Sequence, residues 1–210
     1  GLAPLAEAGK LGPLLVQFPP SFKPDEAALD YLTDLVRRFG RAGFQLAVEL
    51  RHRGWTDPDA AGPAVTALFE EEQVAWVMID EPKFRTSVGD APLTSRVGYF
   101  RFHGRNYAQW WRHDHAEDRY NYLYGAAEQR ELAKQVRAVA DRTSDTYVFY
   151  NNHYKAKAVV NGLQLELEVG RLPRAPLPKT LVREYPELES VQVAIDPVAP
   201  SAGEQVAASA

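Results

Sequence analysis

Val97-Gly98-Tyr99-Phe100-Arg101-Phe102-His103 is apolar but for Arg101 until it ends at His103, and Arg105 and Asn106 follow. A run without alternation is what a parallel strand buried on both faces requires. Leu14 to Phe18, Phe44 to Leu50, Val74 to Asp80 and Thr146 to His153 have the same character. Helical spacing lies between most of them. Pro24 to Phe39 sets Ala28, Leu32, Leu35, Val36 and Phe39 on one stripe before Gly40 and Gly43 stop it. Ala60 to Glu72 follows the Asp57-Pro58 turn, Ala126 to Arg142 aligns Leu132, Val136, Val139 and Ala140, and Tyr154 to Val169 reads as the last helix. The order β-α-β-α-β-β-α-β-α predicts an α/β fold with a parallel sheet and right-handed crossovers.

Five strands do not close a barrel, and an eight-stranded (β/α) barrel typically takes about 250 residues. The pattern fits a partial TIM (β/α) barrel holding the five C-terminal parallel strands, with three strands expected upstream of Gly1. An open five-stranded doubly wound sheet fits it as well. The Gly-Leu-Ala-Pro start has neither an initiator methionine nor a signal pattern, as expected of a fragment or trimmed chain. Residues 1–195 are expected to form one domain and 196–210, rich in Pro and Ala, a disordered tail; Leu181 to Leu188 has enough apolar residues to pack. Glu81 to Arg96 has no helical signal, and Gly104 to Gly125 is a long loop dense in aromatics.

Composition narrows the classes. The chain has 210 residues, 45% of them hydrophobic, and a formal charge of −4. That is enough for a sizeable core, and the mild acidity is not that of a default nucleic-acid or membrane-surface binder. There is no cysteine, which removes disulfides and thiolate metal sites and fits a cytoplasmic protein. No apolar run approaches the roughly 20 residues that span a bilayer.

The candidate site comes from where the strands turn polar. Their ends carry Gln17; Glu49 and Arg51; Asp80 and Glu81; His103 and Arg105; then Asn151, Asn152 and His153. In parallel α/β folds this edge binds ligands. Side chains two apart share a face, so Glu49 goes with Arg51, Arg101 with His103 and Arg105, and Asn151 with His153. Arg101, flanked by Phe100 and Phe102, needs a buried carboxylate, and Glu49 is the best candidate. Arg105, Asn106, Lys155 and Lys157 follow the last two strands, where barrels commonly bind phosphate. Tyr107, Trp110, Trp111, Tyr120, Tyr122 and Tyr124 would cap the barrel mouth or form a lid. His113-Asp114-His115 has metal-ligand chemistry on a short spacing. Gly-rich phosphate loops, a Gly-x-Ser-x-Gly elbow and a His-Glu-x-x-His helix are all absent.

Several longer stretches resemble one family. Gly9-Lys10-Leu11-Gly12-Pro13-Leu14-Leu15-Val16-Gln17-Phe18-Pro19-Pro20, Val48-Glu49-Leu50-Arg51 with Trp55, and Tyr99-Phe100-Arg101-Phe102-His103-Gly104-Arg105-Asn106 are similar to motifs of the YecE-like family, the domain of unknown function seventy-two. Tyr120 to Tyr124 and Tyr147 to His153 extend the likeness, which runs from Gly9 to about Val169. The resemblance implies a TIM-type barrel whose N-terminal strands are absent here, and it names no reaction.

Three functional readings follow. The first is a barrel enzyme for a small anionic or sugar-like substrate. Glu49 or Asp80 would act as acid or base and His103 as the second proton-transfer group. Arg51 and Arg105, with Gln17, Arg101 and Asn106, would bind the anion, and Asn151 and His153 would orient it. A divalent metal on Glu49, Asp80 and His103 is a variant of this reading. The second is a nucleic-acid-processing barrel and the third a non-catalytic metabolite-binding protein. Cofactor and oligomeric state have no signature in the sequence.

Overall fold

The computed structural model describes residues 1–110, 115, 118–173 and 175–195. The expected tail, 196–210, lies outside the described residues. After a short helix α1 (Ala3–Glu7), the chain runs β1 (Leu14–Gln17), α2 (Glu26–Arg41), β2 (Leu46–Glu49), α3 (Gly62–Glu71), β3 (Ala75–Trp76), β4 (Met78–Asp80) and β5 (Val97–Phe102). It continues through α4 (Ala126–Ala140), β6 (Asp145–Tyr150), α5 (Lys157–Glu168), α6 (Lys179–Glu184) and α7 (Glu189–Ile195). The result is a mixed α/β fold with two three-stranded parallel sheets, ordered β1-β2-β3 and β4-β5-β6.

The third apolar run, expected as one strand from Val74 to Asp80, becomes two short strands. Its first half pairs with β2 and its second half with β5. Val77 stands between them, and its N–H still reaches the Val48 carbonyl at 2.9 Å. One extended segment thus hands its hydrogen bonds from one neighbour to the other, as strand twist and stagger require.

Paired residues of parallel strands share a face, so the registers define two sides. On one side, Leu46, Val48 and Trp76 pack with Leu32, Val36, Val65 and Phe69 of α2 and α3. Phe100 and Phe102 pack on the same side with Leu132 and Val136 of α4 and Leu165 of α5. The other side carries Leu15 and Gln17, Ala47 and Glu49, Ala75, Val77 and Ile79, Tyr99 and Arg101, and Tyr147 and Phe149. This inner side is concave: a Cβ on Gly12 would stand 3.3 Å from the Tyr147 ring, and Arg101 of β5 reaches Gln17 of β1. Central strands are covered on both faces, which is why they read as unbroken apolar runs. At the flanks, Leu15 is 37% exposed and Phe149 45%.

Two regions differ from expectation. The helix expected from Tyr154 begins at Lys157, because Lys155 (φ 49°) and Ala156 (φ 63°) take left-handed conformations and break the run. Beyond Arg171, α6 and α7 close over α5 through Tyr185, Leu188 and Val191 packed on Val160. Glu81 to Arg96 is free of helix, as its sequence indicates. It is pinned instead by Thr94, whose hydroxyl donates to the Val74 carbonyl at 2.7 Å and accepts from the Trp76 N–H at 3.2 Å. No helix among the described residues is long and apolar enough to cross a membrane.

Candidate functional site

Glu49 ends β2 on the concave side and is fully buried. One carboxylate oxygen accepts from Arg51 Nε at 2.6 Å and the other from Arg101, whose guanidinium also donates to the Gln17 amide oxygen. Arg51 extends the cluster. Its Nη2 lies 3.2 Å from His103 Nε2 and its Nη1 3.8 Å from the Glu81 carboxylate. Gln17, Glu49, Arg51, Arg101 and His103 are therefore brought together from β1, β2 and β5 at the C-terminal edge. Glu81, named in the sequence only as a strand-end acid, joins them.

The electrostatics separate the two acids. Burial alone would raise the Glu49 pKa, but the nearby His103 ring, whose Nε2 is 3.7 Å away, and the positive charges of Arg51 and Arg101 outweigh it and hold the group down to about 2. Glu81 moves up, because burial, reinforced by the Glu49 and Asp80 charges, exceeds the relief from Arg51 and Lys83. Burial, with Arg51 nearby, lowers His103, so its ring is neutral. A guanidinium only donates, so Nε2 of this neutral ring accepts from Arg51 and Nδ1 carries the proton. That Nδ1 has no hydrogen-bond partner among the described residues, in a side chain 1% exposed. A buried donor left unmatched costs about 1–3 kcal/mol.

Aromatic side chains wall the cluster. The His103 ring is 6.5 Å from Trp110 and 6.4 Å from Tyr120, and Tyr120 is 5.3 Å from the His153 ring. His153 joins through this contact and through Nδ1, 2.9 Å from the Asn151 carbonyl. The Asn151 side chain has no hydrogen bond among the described residues, whereas Asn152 is fully buried and donates to the Tyr122 carbonyl and to Asn161.

Asp80 and Arg105 stand apart, which corrects their assignment to this cluster. Asp80 is in register with Phe102 and so faces the helices, and it is Glu81 that shares the inner side with Val77 and Ile79. Arg105 follows Gly104, whose φ of +89° interrupts the alternation that would have aligned it with Arg101 and His103. Arg105 instead donates to both Asp80 oxygens, at 3.0 and 2.6 Å, and to Glu128 at 3.2 Å. The Tyr124 hydroxyl donates to Asp80 at 2.7 Å and accepts from the Gly104 N–H at 2.8 Å. The Glu49, Asp80 and His103 metal set accordingly does not assemble, and no three His, Cys, Asp or Glu residues among those described form a ligand group. His113 and Asp114, like Trp111, lie outside the described residues.

Asn106 is also turned away from the cluster: its amide donates to Gln109 and to the Asp118 and Asn121 carbonyls, tying the long loop together. Lys155 and Lys157 sit over the Tyr154 ring, and Lys157 also donates to Asn121. Of the loop aromatics, Tyr107 packs on Phe84, and Tyr122 and Tyr124 pack together.

The turn at Gly104 is therefore decisive for which arginine enters the site. A Cβ there would come within 2.7 Å of Tyr122 and would sit on a backbone that L side chains rarely adopt. Gly104→Ala is expected to destabilise the protein by about 1–3 kcal/mol, read from the urea midpoint. An unchanged midpoint would show that the turn tolerates a side chain.

Comparison with known proteins adds kinship. Residues 1–183 match the family described as "Protein of unknown function DUF72". UPF0759 protein YunF of Bacillus subtilis (strain 168) is 28% identical over 175 residues, covering 78% of this chain and 60% of the relative. A DUF72 family protein of Thermotoga maritima MSB8 superposes with a TM-score of 0.70 at 35% identity, covering 79% of this chain and 60% of that one. Another, from Enterococcus faecalis V583, gives 0.74 at 29% identity, covering 85% and 66%. The chain thus spans about 60% of the length of the curated relative.

Proposed function

The chain belongs to the DUF72 family, and from that premise we propose that it is an acid–base enzyme for a small anionic or sugar-like substrate bound at the C-terminal strand edge. The observation that carries this reading is one guanidinium, Arg51, between two carboxyls displaced in opposite directions, Glu49 downward and Glu81 upward. Two titratable groups driven apart by their surroundings are the usual basis of acid and base roles in one site. Glu49 stays ionised and fixes Arg51 and Arg101. Glu81 moves the proton, neutral His103 offers its Nδ1–H to a substrate oxygen, and Gln17 and Arg101 hold the polar end of the substrate.

We also propose that the two sheets are a sector of a (β/α) barrel, in keeping with the YecE-like resemblance. Its support is the strand order, which follows the sequence without the reversal that creates the switch point of a doubly wound sheet, and the concave inner face. The reading places the protein in the cytoplasm, in accord with a chain without cysteine.

The test is a turnover screen of small carboxylates, phosphates and sugars with the full-length protein, followed by Glu81→Gln. The substitution is expected to lower kcat by about 10²–10⁴-fold on whichever compound is converted, with the melting temperature kept. Full activity in Glu81→Gln would remove Glu81 from the reaction. Binding without turnover across the screen would favour a non-catalytic role.

A further inference from the structure

Beside Arg51 lies a cavity of about 70 Å³, lined by Arg51, Glu81, Thr86, Ser87, Trp110 and Arg119. Three observations bear on what it holds. The first is a cation without an ion pair among the described residues. Arg119 forms no ion pair among the described residues, and its Nε is buried without a hydrogen-bond partner. Its guanidinium lies over the Trp110 ring, 5.5 Å from the centroid, which fixes its position without using its donors. The second is Arg51 Nη1, which stands 3.8 Å from Glu81, within range of its charge but beyond a hydrogen bond. The third is size. At about 70 Å³ the cavity has room for a small polar head group.

We propose that this cavity is a subsite for the carboxylate of a small organic acid, clamped between Arg51 and Arg119. A guanidinium fork matches the planar, two-oxygen geometry of a carboxylate. The Thr86 hydroxyl on the wall adds a polar partner, and the indole of Trp110 shields the pair from water. A phosphate is bulkier, and its second negative charge would face Glu81. Burial raises the Glu81 pKa, which lessens its repulsion of a singly charged carboxylate. The inference rests on the proposed reading of the site and narrows its substrate class from small anions to carboxylates.

Calorimetric titration of the full-length protein with acetate, glycolate and inorganic phosphate at constant ionic strength tests it. Acetate and glycolate are expected to bind, and Arg119→Gln to weaken them at least roughly tenfold. Arg119→Lys, which keeps the charge but loses the fork, is expected to fall between. Equal affinity in wild type and Arg119→Gln, or tighter binding of phosphate with the same Arg119 dependence, would overturn the subsite. The two proposals fail separately. Arg119-dependent acetate binding in a protein that turns nothing over keeps the subsite and removes the enzyme. Turnover indifferent to Arg119→Gln removes the subsite and keeps the enzyme.

Discussion

Glu49→Ala is expected to lower the unfolding free energy by about 3–5 kcal/mol, the largest stability effect of any single substitution in the site. The carboxylate is fully buried and accepts from Arg51 and Arg101 at once. Removing it strands two guanidinium groups, each with little access to water. Their desolvation was offset by Glu49 and is then offset by nothing. Glu49→Gln keeps the volume and is expected to be nearly as damaging, because the amide answers two guanidinium charges with a dipole and places N–H donors among donors. For a chain of this size the melting temperature should drop by roughly 10 °C. Removing part of the stranded charge tests the cause: Glu49→Leu combined with Arg101→Met should recover part of the loss. A loss below about 1 kcal/mol in Glu49→Ala would mean that the arginines find other partners, and the picture of one carboxylate organising the site would fall.

How much of this was legible beforehand depends on the residue. Arg101 could be read outright, since an arginine between two phenylalanines in a buried strand needs an acid, and Glu49 ends the strand in register with Gln17. The parallel order of the strands was legible for the same reason, unbroken apolar runs separated by helical spacing. Choosing between Asp80 and Glu81 was harder, although the signal was present: counting by twos from Val77 reaches Glu81, and Asp80 falls with Met78 on the helix side. That count needs a segment continuous through Val77, which the sequence suggests and the hydrogen bonding divides between two neighbours. Arg105 was beyond such counting, because alternation holds only while the backbone stays extended, and Gly104 leaves it. Arg119 and Trp110 come from a loop, where no periodicity says which side chain turns inward. Only the folded chain brings Arg119 beside Arg51.

Acid titration separates the Glu49 contribution from the rest of the fold. In the unfolded chain Glu49 titrates near its ordinary 4.5, and in the native state at about 2. A depressed carboxylate stabilises the native state fully above its unfolded pKa and loses that contribution as pH falls toward the folded value. The window therefore runs from about pH 4.5 down to 2, and the gap corresponds to about 3 kcal/mol. His103 acts in the same sense at higher pH. Its folded pKa is lowered, so the unfolded chain takes up a proton first as pH drops below 6.5, and stability begins to decline there. Glu81 acts in the opposite sense. Its raised pKa means that the native state holds an extra proton above 4.5, and the associated stability is lost as pH rises through the folded value. Urea midpoints at pH 7, 4.5 and 3 are thus expected to fall steeply in the second interval, whereas in the first His103 and Glu81 oppose each other. Glu49→Gln, less stable throughout, should be much flatter between pH 4.5 and 3, since the group that titrates there is gone. If it loses as much stability over that interval as the wild type, the acid sensitivity belongs to other carboxylates and Glu49 is not held down by its arginines.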